Sequence, residues 1–314
     1  MRTSLVTGGA GFIGSHIADA LVARGDRVRV LDNLSTGNLN NLRAIHDRIE
    51  FIQGSITDET TVARAVRGVD CIFHEAALAS VPRSLEKPLD THAACVTGTV
   101  ILLNEAQQAG VRRLVYAASS SAYGDQPYAS KREADPAAPI SPYGAAKAAG
   151  ELYCRAFAAS FKIETVSIRY FNVFGPRQDP AGEYSAVIPK FITSMLAGER
   201  PTIFGDGLQS RDFTFIENVV RGNLLAGDAP RVSGEVFNVA MGNSVNLLHL
   251  IALLNQHLKT NIQPIHAPAR MGDVRDSLAD ITEARAKLGY EPSVHFEEGL
   301  RRSIDYYLSV VRRA

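Results

Sequence analysis

The chain has 314 residues, 46% of them hydrophobic and 21% charged, with 33 basic side chains balanced by 33 acidic ones. This is the composition of an ordinary globular protein with one large or two smaller cores, and a net charge of zero without basic blocks gives no electrostatic footing for nucleic acid or a membrane surface. Cys71, Cys95 and Cys154 are scattered, odd in number and without metal-ligand spacing, so they read as reduced thiols of a cytoplasmic protein; neither a secretory leader nor a membrane span is expected.

Short β-branched runs alternate with helical periodicity through the first half: Ser4–Thr7, Ile13–Arg24, Val28–Leu31, Ile49–Gln53, Cys71–His74, Val96–Ala109 and Leu114–Ala118. That rhythm predicts βαβ units and a doubly wound parallel sheet. A helix over Tyr143–Phe161 and a strand at Glu164–Tyr170 close the region, and a boundary is expected near residue 170. Beyond it the texture turns to Gly/Pro-rich loops with helices at Ala186–Ala197, after Glu217, at Leu247–Leu258 and at Glu297–Val311, and strands at Pro201–Phe204 and Glu235–Val239. Because residues 213–240 again read helix then strand, this segment is expected to return to the first sheet. The expectation is a dinucleotide-binding domain over 1–170 and a smaller, interleaved α/β domain, mainly for substrate, over 171–314.

Thr-Gly-Gly-Ala-Gly-Phe-Ile-Gly follows the first strand directly and opens the first helix. In that context Gly8 serves the tight turn, Gly11 lets backbone amides approach a pyrophosphate, and Gly14 lets helix pack on strand, the fingerprint of a Rossmann sheet. Asp32, eighteen residues after Gly14 at the end of the second strand, suits the ribose hydroxyls and repels a 2′-phosphate. No Arg or Lys stands between 33 and 42, so NAD is favoured over NADP.

Tyr143 and Lys147 are one helical turn apart at the start of a helix, and Ser119, Ser120 and Ser121 follow the fifth strand at the edge where such sheets bind ligands. A tyrosinate can take a proton from a sugar hydroxyl while hydride leaves the same carbon. Bringing Tyr from about 10 to about 7 needs roughly 4 kcal/mol of differential stabilisation. The Lys147 ammonium and a positive nicotinamide are the expected sources, with Ser119 sharing a hydrogen bond with the phenol.

With these features in chain order, the sequence resembles the extended short-chain dehydrogenase/reductases, and more narrowly the nucleotide-sugar 4-epimerases related to UDP-glucose 4-epimerase. The blocks that carry the resemblance are Asp32-Asn33-Leu34-Ser35-Thr36-Gly37, His74-Glu75-Ala76-Ala77, residues 169–177 (Arg-Tyr-Phe-Asn-Val-Phe-Gly-Pro-Arg), Gly205-Asp206-Gly207 and Ser210-Arg211-Asp212-Phe213. It implies tightly held NAD, a transient 4-keto sugar, a UDP-hexose substrate and a homodimer joined through apolar helices around 92–109 and 144–160.

The resemblance also implies cofactor contacts from Phe12, Ile13, Asn33, Ser35, Thr36, Gly37, Ser55, Ile56, Ala76, Ala77 and Tyr170, with Phe171 near the nicotinamide. For the UDP-sugar it implies Asn172 and Arg211 on the phosphates, Arg270 and Asp273 closing on phosphate and ribose, and Val187, Thr202, Ile203 and Phe204 around the nucleotide. Ala79, Ser80 and Ser277 are expected beside the sugar, where small side chains leave room for an N-acetyl group. Two departures stand out: Ser55 replaces a usual aspartate and Cys95 a usual asparagine. His16 and His74 lack companion ligands and read as structural, so no metal is expected.

Rival readings are an enzyme acting on UDP-glucuronate, as 4-epimerase or decarboxylase, and a non-catalytic NAD-sensing regulator. A 4,6-dehydratase is disfavoured because Ser120-Ser121-Ala122 lacks the acid pair that elimination requires.

Overall fold

A computed structural model describes residues 1–128, 130–180, 186–269 and 274–311. β1 (Thr3–Thr7) passes straight into the glycine turn that opens α1 (Phe12–Arg24). α1 stops at Gly25, whose left-handed φ of 91° turns its amide back onto the Leu21 and Val22 carbonyls. The alternation continues through β2 (Arg27–Asp32), β3 (Ile49–Gln53), α2 (Glu59–Val66) and β4 (Cys71–His74). Two short helices, α3 (Val81–Glu86) and α4 (Pro88–His92), lead through a π turn at Ala93–Thr97 into α5 (Gly98–Gln108). β5 (Arg113–Ser119), α6 (Pro142–Ser160) and β6 (Glu164–Tyr170) follow.

Beyond residue 170 come β7 (Val173–Phe174), α7 (Val187–Leu196), β8 (Thr202–Phe204), β9 (Ser210–Arg211), β10 (Thr214–Phe215) and α8 (Ile216–Asp228). They are followed by β11 (Glu235–Val239), β12 (Val245–Asn246), α9 (Leu247–Leu258), β13 (Ile265–Ala267), β14 (Asp276–Ser277) and α10 (Phe296–Val311).

Seven parallel strands form the central sheet in the order β11-β6-β5-β4-β1-β2-β3, so β11 lies at the edge beside β6 although it follows it by some 65 residues. Successive strand residues face opposite layers: Leu5, Ile72 and Leu114 pack under α2, α5 and α6, while Val6, Phe73 and Val115 pack on the side of α1 and α8. Burial on both faces explains why these strands are continuous apolar runs. The strand order reverses about β1, which opens a crevice beyond the carboxyl ends of β1 and β4.

Three small sheets build the other side of that crevice. β7 pairs β10, β8 pairs β13, and β9 lies between β12 and β14, which sets Arg211 opposite Ser277 in register. Asp212, fully buried, ties this region together by accepting from the amides of Met241 (2.9 Å), Gly242 (3.0 Å) and Ala279 (3.3 Å).

Candidate active site

The turn after β1 is built for close backbone approach. Gly8 has φ 67°, and a Cβ there would lie 2.7 Å from the Ala76 amide nitrogen; a Cβ on Gly14 would lie 2.3 Å from the Gly8 carbonyl. Gly11 caps α1 without a side chain, so the first amides of the helix, at Phe12, Ile13 and Gly14, point into the crevice with the positive end of the helix dipole behind them. Asp32 is 7% exposed; its Oδ2 accepts from the Ala10 amide at 2.9 Å and its Oδ1 from the Leu34 amide at 2.8 Å. Gly37 is required beside it, since a Cβ would reach 2.7 Å from Oδ1.

A cavity of about 240 Å3 follows this surface, lined by Gly8, Gly11, Phe12, Ile13, Gly14, Asp32, Asn33, Ser35, Thr36, Ser55, Ile56, Ala76 and Ala77. An uncapped helix amide cluster, a cradle that any Cβ would fill and a buried ribose-length acid fit a dinucleotide diphosphate and its adenosine ribose. Ser55 spends its hydroxyl locally, at 2.8 Å from the Thr57 hydroxyl.

The serine end of β5 meets the start of α6. Ser141 caps α6 by accepting from the Gly144 amide (3.1 Å), and Pro142 takes the first helical position, where no amide partner is needed. That cap brings Tyr143 beside Ser119, whose side chain accepts from the Ser121 amide at 3.1 Å and favours the ionised form of the tyrosine. Lys147, 3% exposed, donates from Nζ to the Ala117 carbonyl at 2.6 Å and lies over the Tyr116 ring.

Burial pushes the Tyr143 hydroxyl well above the usual tyrosine range; Cys95 adds to this, the neighbouring Ser119 hydroxyl opposes it, and Glu75 adds further. Burial also pulls the Lys147 ammonium down, against Cys95, Glu75 and Glu151. Among the protein's own groups burial outweighs the lowering influences on Tyr143, because the same low-dielectric environment penalises both charged forms; the positive nicotinamide is the other source the sequence invokes.

Next to these residues lies a cavity of about 230 Å3 lined by Val81, Ser120, Ser121, Lys131, Ser141, Phe171, Asn172, Arg211, Asp276 and Ser277 among others. Asn172 adopts a left-handed φ of 36° and donates from Nδ2 to the Asp212 carbonyl (3.2 Å) and the Ser277 hydroxyl (3.4 Å). A larger cavity of about 720 Å3 continues from Asn172 and Arg211 to Val187, Thr202 and Phe204. Arg211 and Asn172 thus stand where the two spaces meet.

Not every expected residue reaches these spaces. Ile203 is fully buried in the core, since the alternation of β8 turns only Thr202 and Phe204 to the cavity. Ala79 lines the glycine-loop cavity, Ser80 caps α3 by accepting from the Arg83 amide, and Val81 is the residue of that run on the sugar-sized cavity. Tyr170 stands behind the cavity wall, donating to Glu75 at 2.8 Å. Arg270 and Asp273 lie outside the described residues.

His74 bridges the Thr7 and Thr99 hydroxyls and is held neutral by burial, its pKa pushed down to about 3. His16 is hydrogen-bonded to the Pro176 carbonyl at 3.0 Å. Arg169 forms a buried bidentate pair with Glu151 (2.8 and 2.7 Å), and Arg177 binds Asp19. No cluster of three metal-ligating side chains occurs among the described residues, and no described helix is long and apolar enough to cross a membrane. Glu75, within the His74-Glu75-Ala76-Ala77 block, lines the glycine-loop cavity and acts electrostatically on both Tyr143 and Lys147. Its one local signal is an acid directly after an apolar buried strand.

Residues 4–240 match the NAD dependent epimerase/dehydratase family. Over 311 residues the chain is 39% identical to a UDP-glucose 4-epimerase of Mycolicibacterium smegmatis, covering 98% of each protein. A UDP-N-acetylglucosamine 4-epimerase of Methanobrevibacter ruminantium, solved with UDP-N-acetylmuramic acid, superposes with a TM-score of 0.94 at 38% identity over 98% of this chain and 99% of that one. A UDP-glucose 4-epimerase of Thermus thermophilus in complex with NAD superposes with a TM-score of 0.90 at 35% identity, over 98% and 99%. With its glycine cradle, Asp32 and the Ser119, Tyr143 and Lys147 cluster in one crevice, the chain belongs to the NAD dependent epimerase/dehydratase family, and its cofactor is NAD.

Proposed function

We propose that the protein is a 4-epimerase of UDP-hexoses, interconverting UDP-glucose with UDP-galactose and UDP-N-acetylglucosamine with UDP-N-acetylgalactosamine. The observation that carries this reading is the meeting of Ser119, at the end of β5, with Tyr143 and Lys147, at the start of α6, beside a cavity lined by Ser120, Ser121, Ser141 and Asn172. NAD held in the glycine-turn cavity would supply the hydride acceptor and donor for the sugar. Tyr143 takes the 4-hydroxyl proton, Ser119 holds the phenol in line, and Lys147, anchored on the Ala117 carbonyl, offsets the negative charge left on Tyr143.

Asn172 and Arg211 hold the diphosphate, the cavity lined by Val187, Thr202 and Phe204 takes the nucleoside, and Ser120, Ser121 and Ser277 surround the sugar. Return of hydride to the opposite face requires the keto sugar to turn over while these groups keep hold of the UDP. The residues past 170 serve the substrate, apart from the segment that contributes β11. Parallel incubation with UDP-glucose, UDP-N-acetylglucosamine and UDP-glucuronate, with products identified by NMR, tests the reading. Axial C4 products from the two neutral sugars support it; turnover of UDP-glucuronate alone overturns it.

A homodimer accompanies this reading. Leu85 (61% exposed) on α3, Leu89 (82%) on α4, and Leu152 (68%) with Tyr153 (42%) on α6 form an apolar surface on neighbouring helices. The contribution from α5 is smaller than the sequence suggests, because its Leu102, Leu103 and Ala106 are spent on the core.

A further inference from the structure

Glu75 is a carboxyl group with two differently placed oxygens. Asn223 donates from Nδ2 to the Tyr170 hydroxyl at 2.8 Å, and that hydroxyl lies 2.8 Å from Glu75 Oε1. Asn223 Oδ1 also lies 3.0 Å from this hydroxyl; Tyr170 has one hydrogen, and with its lone pair engaged by Asn223 Nδ2 that hydrogen goes to the nearer acceptor, Oε1. Oε2 has no protein partner among the described residues and belongs to a half-buried residue lining the cavity of the glycine turn. The Glu75 backbone itself abuts that turn, 3.0 Å from where a Gly8 Cβ would stand.

A dinucleotide held by the glycine turn brings two negative phosphates to this cavity. An ionised carboxylate there is repelled by them, whereas a neutral carboxylic acid can donate a hydrogen bond from Oε2. The geometry points to Glu75 as a cofactor-retention residue that acts in its protonated form: Tyr170 fixes Oε1 as acceptor, Oε2–H donates to an oxygen of NAD, and ionisation of Glu75 loosens the cofactor. The inference rests on the assignment of the cavity to NAD.

The surroundings agree. Burial raises the Glu75 pKa to about 7, with the Tyr170 hydrogen bond and the Lys147 charge pulling the other way. The titratable and charged groups facing it are Tyr143 and Lys147 on α6, Tyr170 on β6, and Asp32 across the cavity at the end of β2, with neutral Asn223 on α8 behind Tyr170. His74, its chain neighbour, stays neutral through the relevant range. Because the folded-state value is raised, the protonated form is present below about pH 7 and lost above it, so retention weakens as pH rises.

The test is the dissociation constant of NAD from the full chain, stripped and reloaded, between pH 6 and pH 9, for wild type, Glu75→Gln and Glu75→Ala. Gln keeps the shape, the Oε1 acceptor and a permanent donor in place of Oε2–H. Wild type is expected to bind NAD about 10- to 100-fold more weakly at pH 9 than at pH 6. Glu75→Gln should stay within about threefold across the range, and Glu75→Ala should bind weakly at every pH. Proton uptake on NAD binding at pH 7.5, measured by titration calorimetry in buffers of different ionisation enthalpy, should be present in wild type and absent in Glu75→Gln. A flat wild-type profile, or the same slope in Glu75→Gln, overturns the inference and assigns the slope to Lys147 or another group. Absence of NAD binding at any pH instead refutes the cofactor assignment on which it rests. Thermal melting of each variant excludes misfolding as the cause.

Discussion

Replacing Gly14 with alanine tests the cofactor cradle through a single methyl group. The new Cβ would stand 2.3 Å from the Gly8 carbonyl oxygen, 2.8 Å from Gly9 Cα and 2.9 Å from the Gly8 carbonyl carbon, all backbone atoms that cannot rotate away. Ordinary contact begins at 3.4 Å, so the start of α1 must retreat by about 1 Å. Overpacking of this kind costs about 1–3 kcal/mol of stability. The same displacement carries the Phe12, Ile13 and Gly14 amides from hydrogen-bonding distance to about 4 Å from the diphosphate, beyond useful range. Loss of one or two charge-assisted bonds, each worth about 1.5–3 kcal/mol, predicts NAD affinity reduced about 100-fold or more. Gly11→Ala separates strain from obstruction: its Cβ meets the Gly8 oxygen at 3.1 Å, a strain of a few tenths of an ångström, so it should melt close to wild type even though its methyl group stands in the cradle and weakens NAD binding. Fluorescence titration with NAD and thermal melting measure both. If Gly14→Ala binds NAD within about threefold of wild type and melts at the same temperature, the cradle argument is wrong.

Ser277→Tyr adds a ring to the cavity of about 230 Å3 opposite Arg211, and should abolish turnover of UDP-N-acetylglucosamine while sparing UDP-glucose; equal loss of both would show that Ser277 does not border the sugar's C2 substituent. In Lys147→Met the acid limb of the kcat profile should move up. Cβ atoms one helical turn apart lie about 5–6 Å from each other, and a unit charge held at such a range through an effective dielectric of about 20 would be worth about 3 kcal/mol, or about two pH units. An unmoved limb would remove Lys147 from the ionisation of Tyr143. Leu89→Asp with Leu152→Asp should halve the mass seen by analytical ultracentrifugation without lowering NAD binding; an unchanged mass would place any dimer contact elsewhere.

Much of the NAD-binding half was legible because its signals are local. Gly8 to Gly14, Asp32 and the Tyr143 and Lys147 pair each sit within one turn or one strand end, where residue type and spacing determine geometry. α2 was not foreseen: Thr60 and Thr61 weaken its helical propensity, and only the Asp58 cap and the buried Val62, Ala65 and Val66 reveal it. The two-residue strands β7, β9, β10, β12 and β14 carry no periodicity of their own and exist through pairing with distant chain. That is why Arg211 and Ser277 could be suspected singly but not seen to face each other.

Direction was harder to read than identity. Ile203 and its neighbours are alike in sequence context, and only the register of β8 with β13 decides which of them turns to the core. The same holds at Ala79, Ser80 and Val81, where the start of α3 redistributes three consecutive residues among a cavity wall, a cap and a second cavity. Glu75 escaped notice because its environment is assembled from β6, α6 and α8, none adjacent to it in the chain.

The central claim is that Tyr143 exchanges the proton at the sugar's 4-hydroxyl, and Tyr143→Phe tests it most directly because it removes one oxygen and keeps the ring. The measurement is kcat for conversion of UDP-glucose to UDP-galactose, with NAD content and melting temperature recorded on the same preparation. The account predicts epimerisation reduced by about 10³-fold or more, with NAD content and melting temperature close to wild type. Turnover within about tenfold of wild type in a folded, NAD-loaded Tyr143→Phe protein would contradict it.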